Sequence, residues 1–131
     1  MNLTILYVED SKFVADAVKE TLEDAGWRVE TCADGFVALF LIKSERRYDL
    51  ILLDNELPNL SGMELTRRTR ELPHRKGMPI IMLSASECVR DALLAGADVF
   101  LRKPQDIGKI VETVARLLAA RTGGSRKMFK R

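Results

Sequence analysis

Asp49-Leu50-Ile51-Leu52-Leu53-Asp54 is a run of four apolar residues with a carboxylate at each end. It reads as a strand covered on both faces that stops abruptly at Asp54. Leu3-Thr4-Ile5-Leu6-Tyr7-Val8 has the same character and ends in Glu9-Asp10-Ser11. Between these two strands, Phe13, Val14, Ala17, Val18, Leu22 and Ala25 recur at helical spacing, with Gly26 as a stop. A short strand at 28–31 and a helix at about 35–44 follow. Beyond Asp54 the alternation continues: a helix at 62–72, a strand Pro79-Ile80-Ile81-Met82-Leu83-Ser84, a helix at 87–95 closed by Gly96, and a strand at 98–101. Ile107, Ile110, Val111, Val114, Leu117 and Leu118 mark a last amphipathic helix, entered through Pro104 and Asp106. Five strands alternating with five helices predict a parallel sheet covered on both sides, a three-layer α/β/α sandwich.

Ligands of an open parallel sheet bind beyond the carboxyl ends of its strands. Those ends carry Glu9 and Asp10, Asp54, Ser84, and Arg102-Lys103-Pro104. Carboxylates crowded together repel one another unless a hard cation holds them, and one or two carboxylates plus phosphate oxygens suit Mg²⁺. A lysine and a serine hydroxyl opposite them supply charge and a proton for transferred phosphoryl oxygens, which makes Asp54 a candidate nucleophile. Taken singly, each residue has a plainer role: Asp10 or Ser11 as a helix cap, Asp54-Asn55 as the opening of a turn, Lys103 as a solvated charge. The case rests on their occurring together.

With 131 residues, 47% hydrophobic and 31% charged, the chain is long enough for one core and too apolar for a disordered protein. No apolar run reaches membrane-spanning length and the first residues lack a secretory pattern, so a cytoplasmic domain with no membrane contact is expected. Cys32 and Cys88 stand apart with no metal-binding spacing. The net charge of +2 is uneven, because Arg121, Arg126, Lys127, Lys130 and Arg131 share an acid-free end. Without those five, 16 cations face 19 carboxylates over residues 1–120. That mildly acidic body argues against direct nucleic-acid binding. One domain is expected over 1–120, followed by a flexible basic tail or linker at 121–131.

The quoted segments, together with Leu57-Pro58, Ser61-Gly62, Leu83-Ser84-Ala85, Gly96-Ala97-Asp98 and Phe100-Leu101-Arg102-Lys103-Pro104, resemble the receiver domains of two-component response regulators. The resemblance covers residues 3 to about 120. It implies the flavodoxin-like strand order 2-1-3-4-5. It also implies that Asp54 accepts a phosphoryl group from a phosphohistidine on a histidine kinase or phosphotransfer protein, in a Mg²⁺-dependent step. By the same resemblance Asp10 ligates Mg²⁺ directly, Glu9 mainly through water, and the Glu56 backbone carbonyl adds a ligand beside Asp54. Ser84 and Lys103 hold the phosphoryl oxygens, Ser84 and Phe100 move as the switch, and the Lys103-Pro104 bond is cis. The expected role is a signalling module that controls a partner or output domain, not an enzyme. An aspartyl-nucleophile phosphohydrolase is the competing class. It would carry its nucleophile on the first strand and a cap insertion, and this sequence has neither.

Two further features stand out. Glu56 places a carboxylate near the mouth of the site, where it is expected to alter the lifetime of the phosphoryl group. The second helix is apolar around its whole circumference, from Phe36 through Ile42, so one face is expected to meet water and to offer a homodimer or partner surface.

Overall fold

The computed structural model describes residues 3–122. Five parallel strands form one sheet in the order β2-β1-β3-β4-β5, with β1 at Thr4–Val8, β2 at Arg28–Cys32, β3 at Leu50–Asp54, β4 at Ile80–Ser84 and β5 at Val99–Arg102. The order reverses at β1, which lies between β2 and β3. Helices α1 (Lys12–Asp24), α2 (Gly35–Lys43), α3 (Gly62–Arg70), α4 (Val89–Ala95) and α5 (Ile110–Thr122) connect or follow the strands.

Side-chain alternation along the strands builds two cores, because successive residues point to opposite faces. Ile5, Tyr7, Leu50, Leu52, Ile81, Leu83 and Leu101 pack with Ala15, Val18 and Leu22 of α1 and Ile110, Val114 and Leu118 of α5. Leu6, Val8, Ile51, Leu53, Ile80 and Met82 pack with Ala38, Leu39 and Ile42 of α2, Leu65 of α3 and Ala92 of α4. Strands β3 and β4 are buried at every residue, which is why they lack a polar alternation. Each fully buried Leu or Ile contributes on the order of 2 kcal/mol.

The helix ends follow local chemistry. Ser11 accepts from the Val14 amide and caps α1, Asp34 accepts from Phe36 and Val37 and caps α2, and Ser61 caps α3 through Glu64. Gly96 closes α4 at φ 118, a left-handed position that favours glycine. At the other end of α2, the buried Arg75 donates to the carbonyls of Ile42, Ser44 and Arg46.

Several boundaries differ from the sequence expectation, α3 ending at Arg70 instead of 72 and β5 running Val99–Arg102 instead of 98–101, and three of the differences have a visible local cause. Helix α4 begins at Val89, not 87, because Ser86 is held in a turn by the Ser84 hydroxyl and Glu87 pairs with Arg102. The last helix is preceded by a separate 3₁₀ turn, Ile107–Lys109, because the Asp106 carboxylate folds back onto the Arg102 amide. The same helix then passes the expected boundary at 120 and runs to Thr122, with Arg121 bonded to the Asp49 carbonyl. Arg121 therefore lies on α5. The rest of the expected tail, 123–131, lies outside the described residues. On α2, Ala38, Leu39 and Ile42 are buried while Phe36, Val37 and Phe40 are exposed, so one apolar face does meet water. Among the described residues no helix is long and apolar enough to cross a membrane.

Candidate functional site

Parallel strands bring their carboxyl ends to one edge of the sheet. Val8 pairs with Leu53 and Asp54 with Leu83, so the residues that follow β1 and β4 flank the end of β3. The β1 hydrogen bonding extends one residue further, through the Glu9 amide to the Cys32 carbonyl, which brings Glu9 into the interior beside Asp54. Glu9 and Asp54 are both buried; Asp10, next along the chain, is exposed. One carboxylate oxygen from each of Glu9, Asp10 and Asp54 lies within 4.8 Å of the others.

Lys103 reaches this cluster from the end of β5. Its Nζ is 3.0 Å from Asp54 Oδ2 and 3.6 Å from Glu9 Oε1. The turn that presents it is held by the Lys103 amide on the Ser84 carbonyl and by Asp106 on the Arg102 amide, and the Lys103-Pro104 peptide bond is cis, as the resemblance implies. Burial works against the ammonium, but the hydrogen bond and charge of Asp54, with Glu9 and Glu56, keep the Lys103 pKa above its ordinary value.

At Asp54 burial is the largest influence and raises the carboxyl. The Lys103 hydrogen bond opposes it and the Glu9 charge reinforces it, and the result is a pKa of about 6. Tyr7, beneath the cluster in the α1–α5 core, has its hydroxyl ionisation pushed up by burial and then by the charges of Glu9 and Asp54. Three crowded carboxylates facing one ammonium are electrostatically undercompensated. Glu9 Oε1 is moreover buried with no hydrogen-bond partner. A buried carboxylate oxygen with a 3.6 Å ion pair to Lys103 but no hydrogen bond, in an all-oxygen cluster, fits a hard divalent cation such as Mg²⁺.

The loop after Asp54 is held through Asn55. The Asn55 side chain accepts from the Met63 amide, the Asn55 carbonyl accepts from Gly62, and the Asn55 amide donates to Leu83. A Cβ on Gly62 would come within 2.4 Å of the Asp54 carbonyl oxygen, so only glycine allows α3 to start this close to the site. The Glu56 amide faces Asp54 Oδ1 at 3.4 Å. Its side chain turns toward β4, where Glu56 Oε2 accepts from the Ser84 hydroxyl at 2.7 Å. Burial would raise the Glu56 carboxyl, but hydrogen bonds from Ser84 and the Ala85 amide hold it below its ordinary value. Ser84 itself is fully buried and also accepts from the Ser86 amide at 3.0 Å.

Glu9, Asp10, Asp54, Glu56, Ser84 and Lys103 thus share one edge of the sheet. Phe100 pairs with Met82 in register, two residues below Ser84, and is half-buried against the α2–α4 core. Sequence reasoning missed the Glu56–Ser84 hydrogen bond and the anchoring role of Asn55. The first joins residues 28 apart and leaves no local signal; the second was visible only as an Asp-Asn turn.

The response regulator receiver domain family matches residues 5–115. The chain belongs to that family. This receiver is 38% identical over 118 residues to the phosphate regulon transcriptional regulatory protein PhoB of Rhizobium meliloti, a match covering 87% of this chain and 51% of that one. The receiver spans about half the length of the curated relatives it matches. Among solved structures it resembles the chemotaxis response regulator CheY4 of Vibrio cholerae, with a TM-score of 0.82 and 32% identity, covering 89% of this chain and 99% of that one. It also resembles the receiver domain of the sensor histidine kinase PA1611 from Pseudomonas aeruginosa, whose structure has a magnesium ion coordinated in the active site cleft. Here the TM-score is 0.81 and the identity 31%, over 91% of this chain and 99% of that one. The fold is the flavodoxin-like arrangement these receivers share.

Proposed function

We propose that this receiver takes a phosphoryl group from a phosphohistidine of a histidine kinase or phosphotransfer protein onto Asp54, and that the modified domain then controls a partner or output domain. The observation that carries the reading is the Asp54 carboxylate, 3.0 Å from Lys103 Nζ and clustered with the carboxylates of Glu9 and Asp10. An Asp54 oxygen attacks phosphorus, the phosphorus–nitrogen bond breaks, and the imidazole leaves with its electron pair and takes up a proton. With a pKa of about 6, Asp54 is largely ionised at neutral pH and so available as the nucleophile. Lys103 lies where it can offset the charge of the arriving phosphoryl oxygens.

Glu9, Asp10, Asp54 and the Glu56 carbonyl are the groups that would hold Mg²⁺, and the bound ion supplies charge neutralisation for the phosphoryl oxygens. After transfer Ser84 turns its hydroxyl toward a phosphoryl oxygen and the Phe100 ring moves inward behind it. That rearrangement shifts a two-state equilibrium in the β4–α4 region. The role is that of a stoichiometric signalling acceptor in the cytoplasm, not a turnover enzyme. The exposed Phe36, Val37 and Phe40 of α2 favour self-association as a further partner reading; identical sedimentation of wild type and Phe40→Glu removes it.

The experiment that tests the acceptor reading is transfer of labelled phosphate from a phosphorylated kinase. The expected result is one phosphoryl group per chain, dependent on Mg²⁺ and absent in Asp54→Asn. Label persisting in Asp54→Asn, or multiple-turnover hydrolysis of a phosphate monoester, overturns it.

A further inference from the structure

Ser84 has a single hydroxyl proton, and in this structure it is committed. The hydroxyl donates to Glu56 Oε2 at 2.7 Å while accepting from the Ser86 amide at 3.0 Å. A phosphoryl oxygen on Asp54 would need that same proton, so Glu56 and the phosphoryl group are competing acceptors for one donor. The two arrangements of Ser84 exclude each other.

Glu56 is built for this competition. Its backbone is tied beside Asp54, through its own amide on Asp54 Oδ1, while the residue is exposed to solvent. The carboxylate therefore reaches inward from the surface to a buried hydroxyl, and it can swing back to solvent without opening the core. Asn55 Nδ2, at 3.4 Å, is the other side-chain donor to the same carboxylate oxygen, a weaker tie than the Ser84 bond. The Ser84 hydroxyl in turn fixes the Ser86 turn, and the Arg102–Glu87 ion pair at 3.0 Å holds the next residue of the loop to the end of β5. The chain Glu56–Ser84–Ser86 thus sets the β4–α4 loop in its unphosphorylated arrangement.

We propose that Glu56 is a positioning residue that holds Ser84 off and must release it before the hydroxyl can serve the phosphoryl group, so that its side chain sets the threshold of the switch. This rests on Asp54 being the acceptor. It differs from simple repulsion of phosphate by a nearby acid, because it acts through Ser84.

Beryllofluoride with Mg²⁺, a phosphoryl mimic, separates the two in a double-mutant cycle of Glu56→Ala and Ser84→Ala, read by calorimetric titration. Losing a competing charge-assisted hydrogen bond is expected to tighten beryllofluoride binding about tenfold in the Ser84 background. In the Ser84→Ala background the gain is expected to fall below about twofold. In the free protein Glu56→Ala is expected to speed exchange of the Ser86 amide, with Glu56→Gln, which keeps an acceptor, closer to wild type. Equal tightening in both backgrounds, no tightening in the Ser84 background, or unchanged Ser86 exchange each overturns the proposal while leaving Asp54 as acceptor. A wild-type protein that binds no beryllofluoride removes the acceptor reading and this inference together.

Discussion

At Asp54, burial and the Glu9 charge outweigh the Lys103 ammonium, and the carboxyl titrates near about 6 instead of 3.8. Because the folded pKa is raised, the advantage of the neutral form is complete below the unfolded value and is lost as pH rises through the folded one. Without divalent metal, Asp54→Asn is therefore expected to be more stable than wild type at pH 7 by about 1–3 kcal/mol, with the difference vanishing near pH 4. Urea unfolding in chelator at both pH values measures this, and an equal difference at the two would contradict it. Glu9 Oε1, buried without a hydrogen bond, leads to a companion expectation. Saturating Mg²⁺ should raise wild-type stability at pH 7, by about 2.7 kcal/mol at a hundred times its dissociation constant, and raise Glu9→Gln less at the same concentration. Thermal melts with and without Mg²⁺ check it; an equal rise in both proteins would remove Glu9 from the cation site.

At the scale of elements, the arrangement depends on how helices end against their neighbours. Arg75 is almost fully buried, donates to three carbonyls around the end of α2 and lies 5.3 Å from the centre of the Tyr48 ring. Helix ends leave carbonyls without partners, and here one planar guanidinium serves three. Arg75→Ala is expected to cost about 3 kcal/mol or more in urea unfolding, and Arg75→Lys to recover only part of it. Full recovery by lysine would show that charge alone matters. Gly62 ties α3 to the acceptor loop in a similar way. An added Cβ would meet the Asp54 carbonyl and the Asn55 Cα, both backbone and unable to yield cheaply. Gly62→Ala is expected to lose about 2 kcal/mol and to weaken Mg²⁺ binding, whereas a loss of stability with unchanged Mg²⁺ affinity would separate the helix start from the site.

For the molecule as a whole, the sheet separates two cores and leaves its reactive groups at one edge, with Phe100 packed against the α2–α4 core. Of the exposed apolar residues, Phe13 shares a pocket with Lys103 and Ala85 beside the polar cluster at that edge, while others lie on α2 and α4. Phe40 is 73% exposed on α2 and contributes little to folding. At concentrations where the protein is monomeric, Phe40→Glu should leave stability within about 0.5 kcal/mol of wild type, as urea unfolding would show. A larger loss would mean that the ring is covered in solution.

The alternation of strands and helices, the burial of β3 and β4 on both faces, and the polar or charged residues at the ends of β1, β3, β4 and β5 were all legible along the chain. They are local properties, carried by periodicities of two and 3.6 residues and by cap chemistry. The meeting of Lys103 with Asp54, 49 residues away, was legible only as a convergence of strand ends, and the strand order that makes it came through the resemblance, because strand order is not written in any one segment. The hold of Glu56 on Ser84, the burial of Arg75 under α2 and the continuation of α5 to Thr122 were decided by tertiary structure alone. Each depends on a side chain reaching a partner that only the parallel register and the packed helices bring within hydrogen-bonding distance.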